Sequence, residues 1–323
     1  MNRPQVSVVM GYAQAPLERL LDSIASVLAQ QGVSLECLVV LDGPPGAGVL
    51  QALQHRARSD RRLRVLLQPH AGLTRALIRG CRRARGVVIA RIDVGDRMLP
   101  GRLQRQWQLL QQHPDCVLVT CGVRCCGPAW EPLDATPPAA ASLPAAEPQR
   151  VDTLPPARGI AADVPHHGSV LLRRSAYRAA GGYRSAFYFA QDWDLWYRLA
   201  LMGRFGHCPE PLYACRLFAT GLSSRHWREQ RRLAALALAL YGARWRGASE
   251  RALLAQARLI RPVLARRRRW PDRRSAEGAY FIGERLRRLG DRRCRTYLLQ
   301  ALLQAPWLLK SWLRLLQAAA ALP

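Results

Sequence analysis

Two groups of carboxylates, widely separated in the sequence, are the side chains here best suited to do chemistry. The first is Asp93-Val94-Gly95-Asp96, which closes the apolar run 87–92. The second is Gln191-Asp192-Trp193-Asp194-Leu195-Trp196, which opens an amphipathic segment. Carboxylates at the C-terminal end of a buried strand stand where open α/β sheets bind ligands. There they can hold a divalent cation against a phosphate, or take a proton from an attacking hydroxyl. The chain carries 49 Lys and Arg against 22 Asp and Glu, so acidic clusters are conspicuous in it.

The elements that must position these groups follow from periodicity. Residues 6–10, 35–41, 63–67 and 87–92 are apolar runs of strand length. Between them lie Leu17, Leu20, Leu21, Ile24 and Leu28 at helical spacing, and helical patterns over 49–57 and 73–84. Short strands alternating with helices predict βαβ units around a mostly parallel sheet, a doubly wound α/β architecture. Further along, 100–112 predicts a helix, 116–121 and 169–172 strands, 193–201 a helix and 211–217 a strand. Residues 127–165 carry nine prolines and little periodicity and read as a long loop or insertion. From about residue 225 the composition turns to Arg, Ala and Leu at helical spacing, with a basic run at 266–269 and one amphipathic helix over 298–316. The expected division is a catalytic domain over 1–224 and an Arg-rich helical region over 225–323.

Composition bounds the alternatives. A length of 323 residues, nearly half of them apolar, is enough for a substantial core. The net charge of +27 suggests anionic partners, yet Lys310 is the only lysine, and an arginine bias of this kind also fits a GC-rich coding sequence. The basic residues are spread along the chain with no nucleic-acid reader motif, so no nucleic acid is expected. Nine scattered cysteines, with Cys121, Cys125 and Cys126 forming no C-x-x-C pair, predict free thiols and no zinc site. The chain runs from Met1 straight into a strand pattern, and no run approaches a membrane span. The expectation is a cytoplasmic protein, with a possible peripheral contact at the inner face of an anionic membrane through the basic helical region.

The ordered motifs resemble the family 2 glycosyltransferases of GT-A fold. The resemblance runs from 6 to about 223. It begins with Val6-Ser7-Val8-Val9-Met10-Gly11-Tyr12, which looks like the first nucleotide-binding strand and loop. Val39-Val40-Leu41-Asp42-Gly43 is similar to the strand ending in D-D-G-S. Gly72-Leu73-Thr74-Arg75-Ala76-Leu77, Arg85-Gly86 and Ile89-Ala90-Arg91-Ile92-Asp93-Val94-Gly95-Asp96 look like the segment leading into the D-x-D site. His167-Gly168-Ser169 and Gly181-Gly182-Tyr183-Arg184 resemble acceptor-side elements, and Ala190-Gln191-Asp192-Trp193-Asp194 the segment carrying the base.

The resemblance implies an inverting transfer of one sugar from a nucleotide-sugar donor, a UDP-sugar foremost, to a glycan or lipid-linked acceptor in cell-surface polysaccharide synthesis. It assigns Asp42 to base recognition, Tyr12 to stacking on the base, and Arg75, Asp93 and Arg216 to the rest of the donor. It assigns Mg²⁺ or Mn²⁺ to Asp93 and Asp96, with Gly95 standing where the family carries a further carboxylate. It places the catalytic base at Asp192. Read from the residues alone, Asp42 could instead cap the next helix and Tyr12 simply pack its loop. Asp194 competes as base or pairs with an arginine. His166 and His167 could touch substrate or be structural. Absence of the Q-x-x-R-W motif argues against a processive polymer synthase, and absence of a Gly-rich loop with a lysine against a nucleotidyltransferase. A catalytically impaired nucleotide-sugar binder on the same fold is the remaining alternative.

Overall fold

The structure, a computed structural model, describes residues 3–134, 164–219, 226–262 and 272–320. Its first half alternates strand and helix: β1 (Val6–Tyr12), α1 (Leu17–Leu28), β2 (Leu35–Asp42), α2 (Val49–Ser59), β3 (Leu63–Gln68), α3 (Leu73–Arg83) and β4 (Val88–Arg91). There follow β5 (Arg97–Met98), α4 (Arg102–Gln112), β6 (Cys116–Cys126), a 3₁₀ turn at His167–Ser169, β7 (Leu171–Arg173), α5 (Arg174–Ala179), α6 (Gln191–Ala200) and β8 (Arg204–Arg216). The remaining helices are α7 (Trp227–Trp245), α8 (Arg251–Leu259), α9 (Arg273–Arg288), α10 (Cys294–Gln304) and α11 (Leu309–Ala320).

One eight-stranded sheet has the order β3-β2-β1-β4-β7-β6-β8-β5. Its β3-β2-β1-β4 part is parallel, whereas β4–β7, β7–β6 and β8–β5 pair antiparallel. The sheet is therefore mixed. Of the parallel strands β1, β2 and β4 are buried and read as largely apolar runs, which is why they are legible, while β3 at the sheet edge is only partly covered. The strands of the antiparallel half are joined by less regular connections. There β5, of only two residues, and the short α5 had no legible pattern. The α3 helix shows how one sequence sets both faces. Thr74, Ala76, Leu77, Gly80 and Cys81 are buried, while Arg75, Arg79, Arg82 and Arg83 stay in solvent.

The chain folds as two compact units. The first comprises the described residues of Met1–Val123, Leu143–Ala214 and Arg231–Arg261. Its core joins Val9, Leu38, Leu77, Ile89, Leu118, Leu172 and Trp196. Residues 231–261 belong to this unit, although composition groups them with the tail. Leu233, Ala237, Leu240 and Tyr241 of α7 bury themselves against Phe187, Phe189 and Tyr197. The second unit comprises the described residues of Arg124–Ser142, Cys215–Gln230 and Pro262–Pro323. Its core joins Leu133, Ile282, Leu286, Cys294, Leu298 and Ala318. The single helix expected over 298–316 is two helices, because Pro306 has no N–H to continue α10. Most of the Pro-rich segment and the basic run at 266–269 lie outside the described residues.

Candidate active site

The end of β4 assembles the site. Arg91 is fully buried, and its Nη1 lies 2.5 Å from Asp93 Oδ1, whose side chain is 41% exposed. Burial alone would lower the Arg91 guanidinium; Asp93, with Tyr213 and Tyr183, outweighs it and holds the group above its ordinary value. Arg91 Nε is buried without a hydrogen-bond partner among the described residues. This cation is thus held by charge more than by hydrogen bonds, and Asp93 is its closest counter-ion.

A tight turn then carries the chain from Asp93 to Asp96. The Asp96 N–H donates to the Asp93 carbonyl at 3.2 Å, and Gly95 sits at φ +98°, where a side chain is strained. The Gly95 N–H donates to Ser23 Oγ at 2.9 Å, and that hydroxyl donates to the Asp96 carbonyl at 2.8 Å. Gly95 thus occupies a backbone position that favours glycine. The Asp96 side chain is buried and accepts from the Tyr213 hydroxyl at 2.5 Å. Burial, then Asp96 and Asp93, keep that phenol far above its ordinary value, so it stays protonated and donates. Tyr213 also accepts from the Asp93 N–H at 3.3 Å, lies under the Arg102 guanidinium at 4.9 Å, and sits 5.4 Å from the His166 ring. A Cβ on Gly168 would fall 2.1 Å from that hydroxyl, so only glycine allows the approach.

Asp192 is in the first turn of α6 and is partly buried. Burial pushes its carboxyl up to about 6; hydrogen bonds from the backbone of Trp193 and of Asp192 itself, and the charge of Arg91, oppose the rise, while Asp93 adds to it. Asp192 and the β4 end therefore act on one another electrostatically. Tyr183 feels Asp192 as well, and its hydroxyl is 2.8 Å from His167 Nε2. Burial holds His167 well below its ordinary value and lowers His166, so both are neutral near pH 7. Asp194, the rival base, is 2% exposed and bonded to Arg198 at 2.6 Å and Arg184 at 3.5 Å. Its oxygens are committed to guanidinium groups.

The other expected residues have different surroundings. Asp42 ends β2 with its side chain 3% exposed. It accepts from the Ala71 and Gly72 N–H groups and from Gln68 Nε2, each at 2.8 Å, which holds the loop entering α3. It does not cap α2, the next helix, whose N-cap is Gly48 with no side-chain bond. Tyr12 is 4% exposed, and its hydroxyl donates to the Ala15 carbonyl, so its contacts are those of loop packing. Arg75 is exposed in the first turn of α3. Arg216 belongs to the second unit, donates to the Pro128 carbonyl, and lies over Trp130 and Phe218 at 4.8 and 5.3 Å. Among the described residues no group of three His, Cys, Asp or Glu could hold a metal ion, and the described cysteines are free. Sequence reading missed Tyr213, Arg102 and the role of Arg91. A charged residue inside an apolar strand was the one available signal, and it pointed to Arg91 alone.

The family model described as "Glycosyl transferase family 2" matches residues 7–179, more than half of the chain. The chain belongs to glycosyl transferase family 2. It is 30% identical over 218 residues to EpsE of Bacillus subtilis (strain 168), named as a glycosyltransferase, covering 66% of this chain and 73% of that one. It is 24% identical over 177 residues to the O-antigen biosynthesis glycosyltransferase WbnJ of Escherichia coli, covering 55% of this chain and 65% of that one. Among solved structures it is similar to GalNAc-T7 with UDP, GalNAc and Mn²⁺, with a TM-score of 0.53 and 13% identity over 72% of this chain. The chain spans 48% of that protein's length. That likeness is one of fold, and it makes the mixed sheet a GT-A-type sheet.

Proposed function

We propose that this glycosyltransferase moves one sugar from a UDP-sugar to a hydroxyl of a glycan or lipid-linked acceptor, with inversion, in bacterial cell-surface polysaccharide synthesis. The observation that carries this reading is Asp192: a carboxylate raised to about 6 by burial, within electrostatic reach of Arg91 and Asp93. Such a group is ionised at neutral pH yet basic enough to accept a proton efficiently. The acceptor hydroxyl gives its proton to Asp192 as its oxygen forms the new bond to the anomeric carbon. The bond from that carbon to the nucleoside diphosphate breaks on the opposite side, so a single displacement inverts the centre.

Arg91, kept cationic at the end of β4, offsets the charge of Asp93 and orients it. Tyr213 and Ser23 hold the Asp93–Asp96 turn in shape. Asp93 is the carboxylate that fits a cation here, since the set for Mg²⁺ is commonly one or two carboxylates completed by substrate phosphate oxygens. Asp96 fits less well, being buried and bonded to Tyr213. Mg²⁺ or Mn²⁺ bound to Asp93 would offset charge gathering on the leaving diphosphate. Arg75 is the exposed cation beside the Asp42 loop assigned to the donor, and Arg216 remains an expectation from the resemblance. That GalNAc-T7 was solved with UDP and Mn²⁺, and that WbnJ is named for O-antigen biosynthesis, supports the donor and the pathway class.

No described helix is long and apolar enough to cross a membrane. A peripheral contact at the inner face of an anionic membrane is part of the proposal. Leu309, Trp312, Leu313 and Leu316 are exposed on one face of α11, and the sequence has no carboxylate side chain after Asp291. Turnover of a panel of nucleotide sugars, with and without divalent metal, tests the reading. Metal-dependent turnover of one donor that Asp192→Asn abolishes while leaving donor binding intact is expected. Failure of every donor to bind would overturn it.

A further inference from the structure

Two adjoining cavities in the first unit, of about 530 and 600 Å³, share Ile78, Arg82 and Ser185. Arg184 apart, six guanidinium groups of the described residues border them: Arg75, Arg79, Arg82 and Arg83 of α3, Arg178 of α5 and Arg258 of α8. The α3 arginines fall at i, i+4, i+7 and i+8, one stripe of the helix, and α3 contains no acidic residue. Among the described residues lining either cavity there is no Asp or Glu. Other arginines of this unit are neutralised: Arg64 and Arg85 by Glu36, Arg97 by Asp22, Arg105 by Glu210, and Arg184, at the rim of this groove, by Glu250 and Asp194. Like charges converging from three helices on a concave surface repel one another unless an anion joins them.

We propose that this groove, which adjoins the donor site through Arg75 and the Asp42 loop, is an anion site for a ligand other than the donor, carrying two or more phosphoryl groups. Guanidinium groups bind phosphate oxygens in pairs, and a row of them matches phosphates in series. The place of the groove fits a ligand that must be present during transfer. At one end Gln68 and Ala71 line it, and both also bond Asp42. At the other end Tyr183 lines it, and Tyr183 bonds His167 and senses Asp192. The phosphoryl groups could belong to a discrete diphosphate-bearing molecule or to lipid headgroups.

The test is calorimetry of the full chain with inorganic tripolyphosphate, in saturating UDP so that the donor site is filled, beside sedimentation with phosphatidylglycerol and phosphatidylcholine vesicles. The variants are Arg79→Gln/Arg82→Gln/Arg178→Gln and, as a control of equal charge, Arg56→Gln/Arg58→Gln/Arg61→Gln on the α2 side. Tripolyphosphate affinity should fall about tenfold for each groove arginine removed and little in the control. That result supports a discrete ligand. Phosphatidylglycerol binding lost only in the groove variant, with no tripolyphosphate binding, supports lipid headgroups. Equal losses in both variants, or no loss in either, would overturn the site. UDP binding is read separately, so failure of the donor reading leaves this outcome legible.

Discussion

Replacing Asp192 by Asn should make the protein more stable and the enzyme far slower, and both effects follow from one cause. Burial raises this carboxyl from 3.8 to about 6, so the folded chain holds a proton that the unfolded chain has released between those values. Stability from this group is therefore fullest below about pH 4 and declines as pH rises to about 6, after which the penalty is constant. A rise of that size corresponds to about 3 kcal/mol, an upper figure for what the ionised group costs the fold at pH 8. Asn keeps an acceptor oxygen for the backbone donors but has no charge to desolvate. The variant should melt a few degrees higher at pH 8, and the gap should close towards pH 4, where the carboxyl is protonated in the folded chain and about half protonated in the unfolded one. Turnover should fall by about 10²–10⁴, the usual worth of a positioned base, and the wild-type rate should show an acid limb with a midpoint near 6. Scanning calorimetry at both pH values and a pH–rate profile are the measurements. A variant that melts lower at pH 8, or that turns over at the wild-type rate, refutes the assignment.

Asp194→Asn should do the reverse: it strips Arg198 and Arg184 of their buried partner, costing about 3–5 kcal/mol by denaturant titration, and leaves the midpoint of the pH–rate profile in place. Tyr213→Phe removes the hydroxyl that donates to the buried Asp96 carboxylate and should cost about 1–3 kcal/mol, with a loss of kcat/KM as the turn loosens. Gly168→Ala drives a methyl into the Tyr213 ring and should cost a similar about 1–3 kcal/mol, read as a lower melting temperature. Chelation of divalent metal should lower turnover and Mn²⁺ restore it. Asp93→Asn should weaken metal dependence, while Asp96→Asn should mainly lower the melting temperature, since Asp96 is buried and bonded to Tyr213.

Local patterns determined much of this protein. Buried parallel strands are largely apolar runs and their covering helices recur at three and four, so 6–92 is legible from hydrophobicity alone. The motif order from Val6 to Asp194 marked the family and pointed to Asp93, Asp96 and Asp192, because those motifs are contiguous in sequence. Packing across the chain decided the rest. Tyr213 reaches Asp96 from a strand far along the sequence, and no local spacing records that distance. Which of Asp192 and Asp194 stays free depended on where α6 aims its first turn, as the two differ by only two positions. Tyr12 met its partner inside its own loop, whereas Asp42 found Gln68, Ala71 and Gly72 across a strand, which composition leaves undetermined. The α7 helix joined the sheet-bearing unit because its apolar face fits Phe187 and Phe189. Periodicity says that a face will be buried; only the tertiary structure supplies the surface that buries it.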